Sequence, residues 1–412
     1  MLRFLTAGES HGPALTVIVE GLPAGLPVDL SLVNADLRRR QQGYGRGQRM
    51  AIESDEVEVL GGIRRGETMG GPVAMIVRNR DWKNWQKTMN IEDPAPEDAT
   101  GATRGPVTRP RPGHADLAGG LKYNRDDLRD ILERASARET TMRVAGGALA
   151  KQLLAHVGVE VLSHVFRVGD VAVPADREVT VDQVRAIPAT SLLHCVDPTV
   201  DEAMARLIDR AKSEGDTLGG AFEVIAAGVP VGLGSHVQWD RKLDGRLAQA
   251  IMSIHAIKAV GIGLGPVVAE RFGSKVHDEI TLAAPGAETG TLPRIARPTN
   301  RAGGLEGGVT NGEPVRVTGY MKPISTLMQP LRSVDLPTMV ESAAAIERSD
   351  VCAISAAAVV GEAMVAFVLA DALLERFGGD TAAGIRQNLE TATRGVHGRL
   401  AAAPAGSGQS GR

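Results

Sequence analysis

The sequence predicts a mixed fold of helices and strands, on three observations. Short apolar runs bounded by turn residues, Leu2 to Thr6 and Ala14 to Glu20, have the length and composition of strands. Leu128, Ile131, Leu132 and Ala135 recur at helical spacing. Val351 to Leu374 is nearly all apolar and too long for a strand. Aromatic residues make up only 3% of the chain, so its core has to be built from Ala, Val, Leu and Ile.

The bulk composition narrows the function classes. At 43% hydrophobic and 23% charged, the chain reads as a soluble globular protein rather than a disordered or fibrous one. A net charge of −3 argues against nucleic acid or an anionic membrane as a general partner. Two cysteines, Cys195 and Cys352, fit a reducing cytoplasm, and no metal site is expected from them. The apolar run at Met1 to Ser10 is too short for a signal peptide. Glu362 lies in the middle of the apolar Val351–Leu374 stretch, which favours a buried core helix over a membrane span.

Taken in order, the first two strands flank Gly8-Glu9-Ser10-His11-Gly12, a turn whose glycines allow a sharp bend or a close ligand. Ser31 to Gln41 reads as a helix with Ser31 as N-cap, and it runs into Gly43-Tyr44-Gly45-Arg46-Gly47-Gln48-Arg49. Leu37 to Ile52 carries five arginines and no acid, the composition of a small-molecule anion site. It follows a predicted helix, so it is not a dinucleotide fingerprint, and no P-loop occurs anywhere. Ile63 to Arg78 reads as turn and strand, and Asn79 to Gly105 as an irregular excursion able to order over a site or a subunit contact.

Arg109 to Asp116 sets two arginines, a histidine and an aspartate on a backbone stiffened by Pro110 and Pro112. Permanent cations beside a group that titrates near neutrality suit an anionic substrate that gains or loses a proton, although a solvated surface loop has the same composition. A helix is expected from Asn124 to about Val157, with Arg134 and Arg138 on one face. Further on, helices are expected at about Thr199 to Lys212 and from Asp240, and strands at Phe222 to Val231 and Pro314 to Tyr320. His156, His164, His194 and Cys195 read as structural. Asn300 to Gly308 has two glycine pairs, and Lys322 to Thr326 is a basic, hydroxyl-bearing turn fit for a phosphate. Thr338 with Glu341 reads as a capping box opening a helical stretch that holds Arg348 and Asp350 and ends at Gly378. Beyond Gly378 little structure is expected, and the small-residue tail 401–412 reads as disordered.

The set GESHG at 8–12, GYGRG at 43–47, RPGHAD at 111–116, RASARET at 134–140, AGGLEGG at 302–308, KPIST at 322–326 and Arg348 with Asp350 resembles the chorismate synthases. The motifs follow the family's order over about the first 350 residues. The resemblance implies an α+β fold, a helical layer sandwiched between antiparallel β-sheets, as one domain over 1–400. It implies a cytoplasmic, tetrameric lyase that eliminates phosphate from 5-enolpyruvylshikimate 3-phosphate to give chorismate. Reduced FMN is the implied cofactor; whether NADPH or an external flavin reductase supplies its electrons stays open.

By the same resemblance His11 protonates near the flavin and substrate, His114 is the general acid for the departing phosphate, and Asp350 is the proton acceptor acting through the flavin. Substrate would meet Ser10, Arg40, Arg46, Arg49, Arg111, Ser136, Arg138 and Arg348. FMN would meet Arg134, Ala135, Ser136, His255, Ala256, Gly307, Lys322, Pro323, Ile324, Ser325, Thr326 and Arg348, and NADP would meet Arg40 and Arg46. Arg109 has no matching role. Two positions depart from the family: His255 stands where Asn is common, and Ser349 precedes Asp350 where His is common. The competing class is a non-catalytic protein that binds flavin or anions.

Overall fold

Alternation in Ala14–Glu20 sends Leu15, Val17 and Val19 to one face, where all three are buried, and leaves Ile18 on the other. The computed structural model describes residues 1–47, 55–174, 177, 179–284, 286, 288, 290–347 and 349–401. Strands β1 (Arg3–Ala7), β2 (Ala14–Glu20), β3 (Glu58–Gly61) and β4 (Val73–Arg78) form an antiparallel sheet in the order β1-β2-β4-β3. Strands β5 (Glu160–Val168), β6 (Val171–Ala172), β7 (Gly220–Ala227), β8 (Ile257–Ile262) and β9 (Val315–Met321) form a second, in the order β8-β9-β7-β5-β6.

The helices that frame the core and the site are α1 (Leu30–Gln41), α2 (Asp116–Tyr123), the single turn α3 (Arg129–Leu132), α4 (Thr140–His156), α5 (Pro198–Ser213), α6 (Leu243–Met252), α7 (Ile354–Phe377) and α8 (Ala382–Ala401). Helices α1, α4 and α7 make the middle layer: α4 packs on β2 and β4 of the first sheet, α7 on β5, β7 and β9 of the second. The two helices meet closely because Gly147 of α4 has no side chain; a Cβ there would lie 2.4 Å from that of Ala363. The fold is therefore α+β, with helices between antiparallel sheets. One continuous apolar core draws on residues from Leu2 to Ile385.

Helix α7 is long and apolar enough to cross a membrane, yet most of it is buried within the chain, facing α4 and the second sheet. Its Glu362 is 1% exposed and accepts hydrogen bonds from Arg39 (2.6 Å), Lys151 (2.8 Å) and Ser163 (2.6 Å). Burial opposes its ionisation, but Lys151 and Arg39 more than offset this and hold the carboxyl well below its usual range. Burial pushes the thiols of Cys195 and Cys352 up to about 11, as structural cysteines require.

Several sequence expectations are corrected. The cap of α1 is Asp29, which accepts from the Ser31 N–H, not Ser31 itself. Helix α6 begins at Leu243 with Lys242 as N-cap; Asp240 lies in the short 3-10 turn before it, although Leu243, Leu247, Ile251 and Ile254 are all buried as its period requires. The helix expected over Asn124–Val157 is broken three ways: Asn124 takes a left-handed conformation and ends α2, α3 is a single turn, and Ser136 is extended before α4 starts at Thr140. Thr338 lies in the turn of a hairpin pairing Arg332–Asp335 with Val340–Ala343, so Asp350 stands in a loop before α7, not in a helix. Apolar periodicity carried the first expectation, and it does not sense the extended residue that interrupts a helix; a hydroxyl–acid spacing carried the second, and strand pairing overrides it. Beyond Gly378, where little structure was expected, α8 seats Ile385 in the core. Residues 402–412 of the expected tail lie outside the described residues.

Candidate active site

The glycine-bracketed turn between β1 and β2 is tied to the chain just before Arg134. The Ser10 N–H donates to the Glu133 carbonyl (3.0 Å), the His11 N–H donates to Glu133 Oε2 (2.9 Å), and His11 Nδ1 lies 2.9 Å from both carboxylate oxygens. Burial opposes ionisation of Glu133, but its bonds to His11 and the Arg129 charge hold it below the usual carboxylate range. An ionised carboxylate only accepts, so Nδ1 of His11 carries the proton in this pair. Ser136 Oγ reaches Ser10 Oγ at 3.3 Å, and Arg134 donates to the Gly8 carbonyl (3.1 Å) and to Thr6.

The proline-stiffened loop builds a second histidine–carboxylate pair. Asp116, fully buried at the start of α2, accepts from Arg111 Nε (2.8 Å) and Nη2 (3.1 Å), and its Oδ1 lies 2.5 Å from His114 Nδ1. Burial raises its proton affinity, yet hydrogen bonds from His114 and Arg111 outweigh that and keep it well below the ordinary range. Arg111 Nη1 also donates to Thr326 Oγ1 (3.1 Å), and Lys322 Nζ donates to the Gly113 carbonyl (3.0 Å). Thus RPGHAD and KPIST, far apart in the chain, form one wall. Arg109 is exposed outside it and holds the Ala345 N–H through its carbonyl.

The remaining arginines are distributed by carboxylates that the sequence alone did not pair with them. Arg138 donates to Asp55 (2.6 Å), which also lies 3.7 Å from Arg40, and Arg40 further binds Thr140 Oγ1 and the Ala137 carbonyl. Arg46 pairs with Asp350 at 2.9 Å, and the Gly47 N–H donates to the same carboxylate (2.6 Å). Arg134 and Arg138 were expected on one helical face. They instead flank the extended Ser136 and diverge, one to the β1 strand and the other to Asp55. Arg49 and Arg348 lie outside the described residues.

Part of the expected flavin set is brought together: Arg134 and His255 line one cavity, and Ala256 is joined to Lys322. A cavity of about 420 Å³ is lined by Phe4, Thr6, Arg134, Glu139, Arg143 and His255, among others. The Lys322 N–H donates to the Ala256 carbonyl (2.9 Å), which joins the turn after α6 to the wall beside His114. Burial, with the charges of Arg143, His114 and Arg134, depresses the proton affinity of His255. Its buried Nδ1 has no protein partner, an orphaned polar atom that a bound group with hydrogen-bonding atoms satisfies. Lys322 is likewise lowered, by burial and then by Lys258. A cationic turn, an orphaned imidazole nitrogen and an open cavity fit a flavin with its phosphate. Gly307 is the exception: its hairpin packs at the start of α6, where Gly308 accepts the Leu243 N–H, whereas His255 follows that helix's far end.

Several side chains at the site were not assigned from sequence, Asp116, Glu133 and Asp55 among them. Asp116 was visible within its motif, two residues from His114. Glu133 and Asp55 carried no local signal, because their partners are distant in the chain.

The chain matches the description of the chorismate synthase family over residues 2–374. It is 54% identical over 393 residues to the chorismate synthase of Solibacter usitatus, covering 95% of this chain and 98% of that protein. It is 57% identical over 388 residues to that of Desulforudis audaxviator, covering 94% and 96%. A crystal structure of a chorismate synthase superposes with a TM-score of 0.75 at 42% identity, over 96% of this chain and 98% of that one. With motifs, site and architecture in agreement, the chain belongs to the chorismate synthase family.

Proposed function

We propose that this lyase of aromatic amino acid biosynthesis performs its elimination with His114 and Arg111 at the leaving phosphate and His11 beside the cofactor. The observation that carries this reading is the wall in which Asp116 orients His114 beside Arg111, Thr326 and Lys322, and His11 is likewise oriented by a carboxylate, Glu133. The substrate, 5-enolpyruvylshikimate 3-phosphate, bears a phosphate and two carboxylates, and the arginines Arg40, Arg46, Arg49, Arg111, Arg138 and Arg348 match that charge. Arg111 is held flat by Asp116, so its remaining donors address the phosphate. His114, fixed through Nδ1, gives the proton of Nε2 to the departing phosphate. Ser10 and Ser136 donate hydroxyls to the substrate. Asp350 accepts the proton lost from the ring, a transfer that weakens its pairing with Arg46.

When bound, reduced FMN supplies the electron-rich ring on which this elimination depends. Arg134, Ala135, Ser136, His255, Ala256, Lys322, Pro323, Ile324, Ser325 and Thr326 hold it in this reading, with Arg348 and with Gly307 supplied by another copy in a tetramer. The chain acts as a single cytoplasmic domain, supported by its continuous core, and Arg40 and Arg46 serve substrate ahead of NADP. Anaerobic turnover of the enolpyruvyl substrate with photoreduced FMN tests the activity, and absence of phosphate release with both ligands bound would favour the non-catalytic binding protein instead. Mixing aerobically purified enzyme with NADPH and FMN decides the source of electrons: turnover means the chain reduces its own flavin, and none means an external reductase.

A further inference from the structure

The segment 79–105 has no strand and only one short 3-10 turn among its described residues, yet it buries Trp85 to 5% exposure. The Trp85 ring lies on the His11 imidazole, with centroids 3.7 Å apart and 21° between planes. The Arg104 guanidinium lies 4.0 Å from the same indole. Two groups cannot occupy one face at those distances, so Arg104 covers the opposite side.

A relay of hydrogen bonds connects this indole to the turn that carries His11. Asn79 donates from its amide to the Gly12 carbonyl (2.9 Å) and from its backbone to the Pro13 carbonyl (2.9 Å). The Asp81 N–H donates to the Asn79 side chain (3.0 Å), and Trp85 Nε1 donates to Asp81 Oδ2 (3.0 Å). The returning arm is fastened by Thr100, whose hydroxyl donates to the Lys83 carbonyl (2.6 Å). The excursion is thus built to hold one ring against another.

That ring needs holding. Rotation about the last torsion of a histidine is broad, and Nδ1 sits equally close to both oxygens of Glu133, so the bonds to Glu133 do not by themselves fix the imidazole plane. We propose that Trp85 is a positioning residue for the reaction, clamping His11 so that Nδ1–H stays on Glu133 and proton exchange with the bound ligand falls to Nε2. The inference rests on the reading of His11 as a group that acts in the elimination. A stacked indole adds an aromatic contact and excludes water from one face of the imidazole.

The test compares Trp85→Leu, which removes the stack, with Trp85→Phe, which keeps an aromatic face, in the flavin-loaded enzyme. Trp85→Leu is expected to lower kcat roughly 10- to 100-fold with KM within about threefold, as misplacing a reacting group does. Trp85→Phe is expected to stay within about threefold of wild type. In proton NMR, the His11 ring protons lie upfield under the indole and move downfield in Trp85→Leu. Adding Trp85→Leu to His11→Ala should cost nothing further. Wild-type kcat in Trp85→Leu, or losses that multiply in the double variant, overturns the proposal. His11 ring protons without an upfield shift in the wild type overturn the clamp alone, whereas wild-type turnover by His11→Ala overturns the reading of His11 beneath it.

Discussion

His11 and His114 each rest Nδ1 on a buried carboxylate, but the two pairs are assembled differently. His114 finds Asp116 two residues away, on a loop whose prolines leave the backbone few alternatives. His11 finds Glu133 across 122 positions, and its stacking partner Trp85 comes from a third segment. The carboxylates also carry different loads. Asp116 divides its charge between His114 and three donors of Arg111, its backbone N–H, Nε and Nη2, while Glu133 gives both oxygens to His11 with Arg129 no closer than 3.5 Å. One pair is a local unit that, in the proposed function, binds phosphate and donates a proton together. The other is a tertiary joint, and removing its parts should disturb orientation before it disturbs stability.

Removing the acid itself should have the largest effect: His114→Ala is expected to fold and bind FMN yet lose about 10²–10⁴ in turnover, read as anaerobic phosphate release. Near-wild-type turnover would assign that proton elsewhere. Next, Asp116→Asn leaves the buried Arg111 without its counter-charge and should lower unfolding free energy by about 3–5 kcal/mol in a denaturant titration. Glu133→Gln should cost less, about 1–3 kcal/mol, because an amide oxygen can still accept one of the His11 bonds. Equal losses in the two variants would erase the contrast drawn between the pairs.

The smallest expected effect is in the pH dependence. Both carboxyls titrate below their ordinary values in the folded chain. Their stabilisation is therefore fully present above the unfolded carboxylate pKa of about 4, and is lost as pH falls through the folded values. Asp116→Asn should flatten that acid limb of the stability curve; an unchanged limb would show that other carboxylates set it.

How much of this could be read from the chain depends on distance along it. The octapeptide Arg109–Asp116 was legible as a stiff loop carrying its own cations, histidine and carboxylate, and the order of the motifs pointed to the family and so to the helical layer between sheets. The strand Ala14–Glu20 and the face of α6 followed from periodicity. The same reasoning ran Asn124–Val157 into one helix and set Arg134 beside Arg138. An extended Ser136 between two helical stretches leaves the apolar spacing intact, so the pattern could not register it. The hairpin at Thr338 imitated a helix cap for a related reason: a hydroxyl followed by an acid suits either local structure, and strand pairing with Arg332–Asp335 decided between them.

By itself the sequence determined the chemistry available: two histidines, a set of arginines, a phosphate-ready turn and the stiff loop that joins Arg111 to His114. It could do so because hydrogen bonds between residues a few positions apart depend on local backbone geometry. Only the tertiary structure decided which carboxylate meets which histidine or arginine, sending Glu133 to His11, Asp55 to Arg138 and Asp350 to Arg46. Those pairings arise when the apolar faces of α4 and α7 and the two sheets close on one another. Burying ions in that closure is unfavourable unless each meets its opposite charge, and no local pattern records where that will happen.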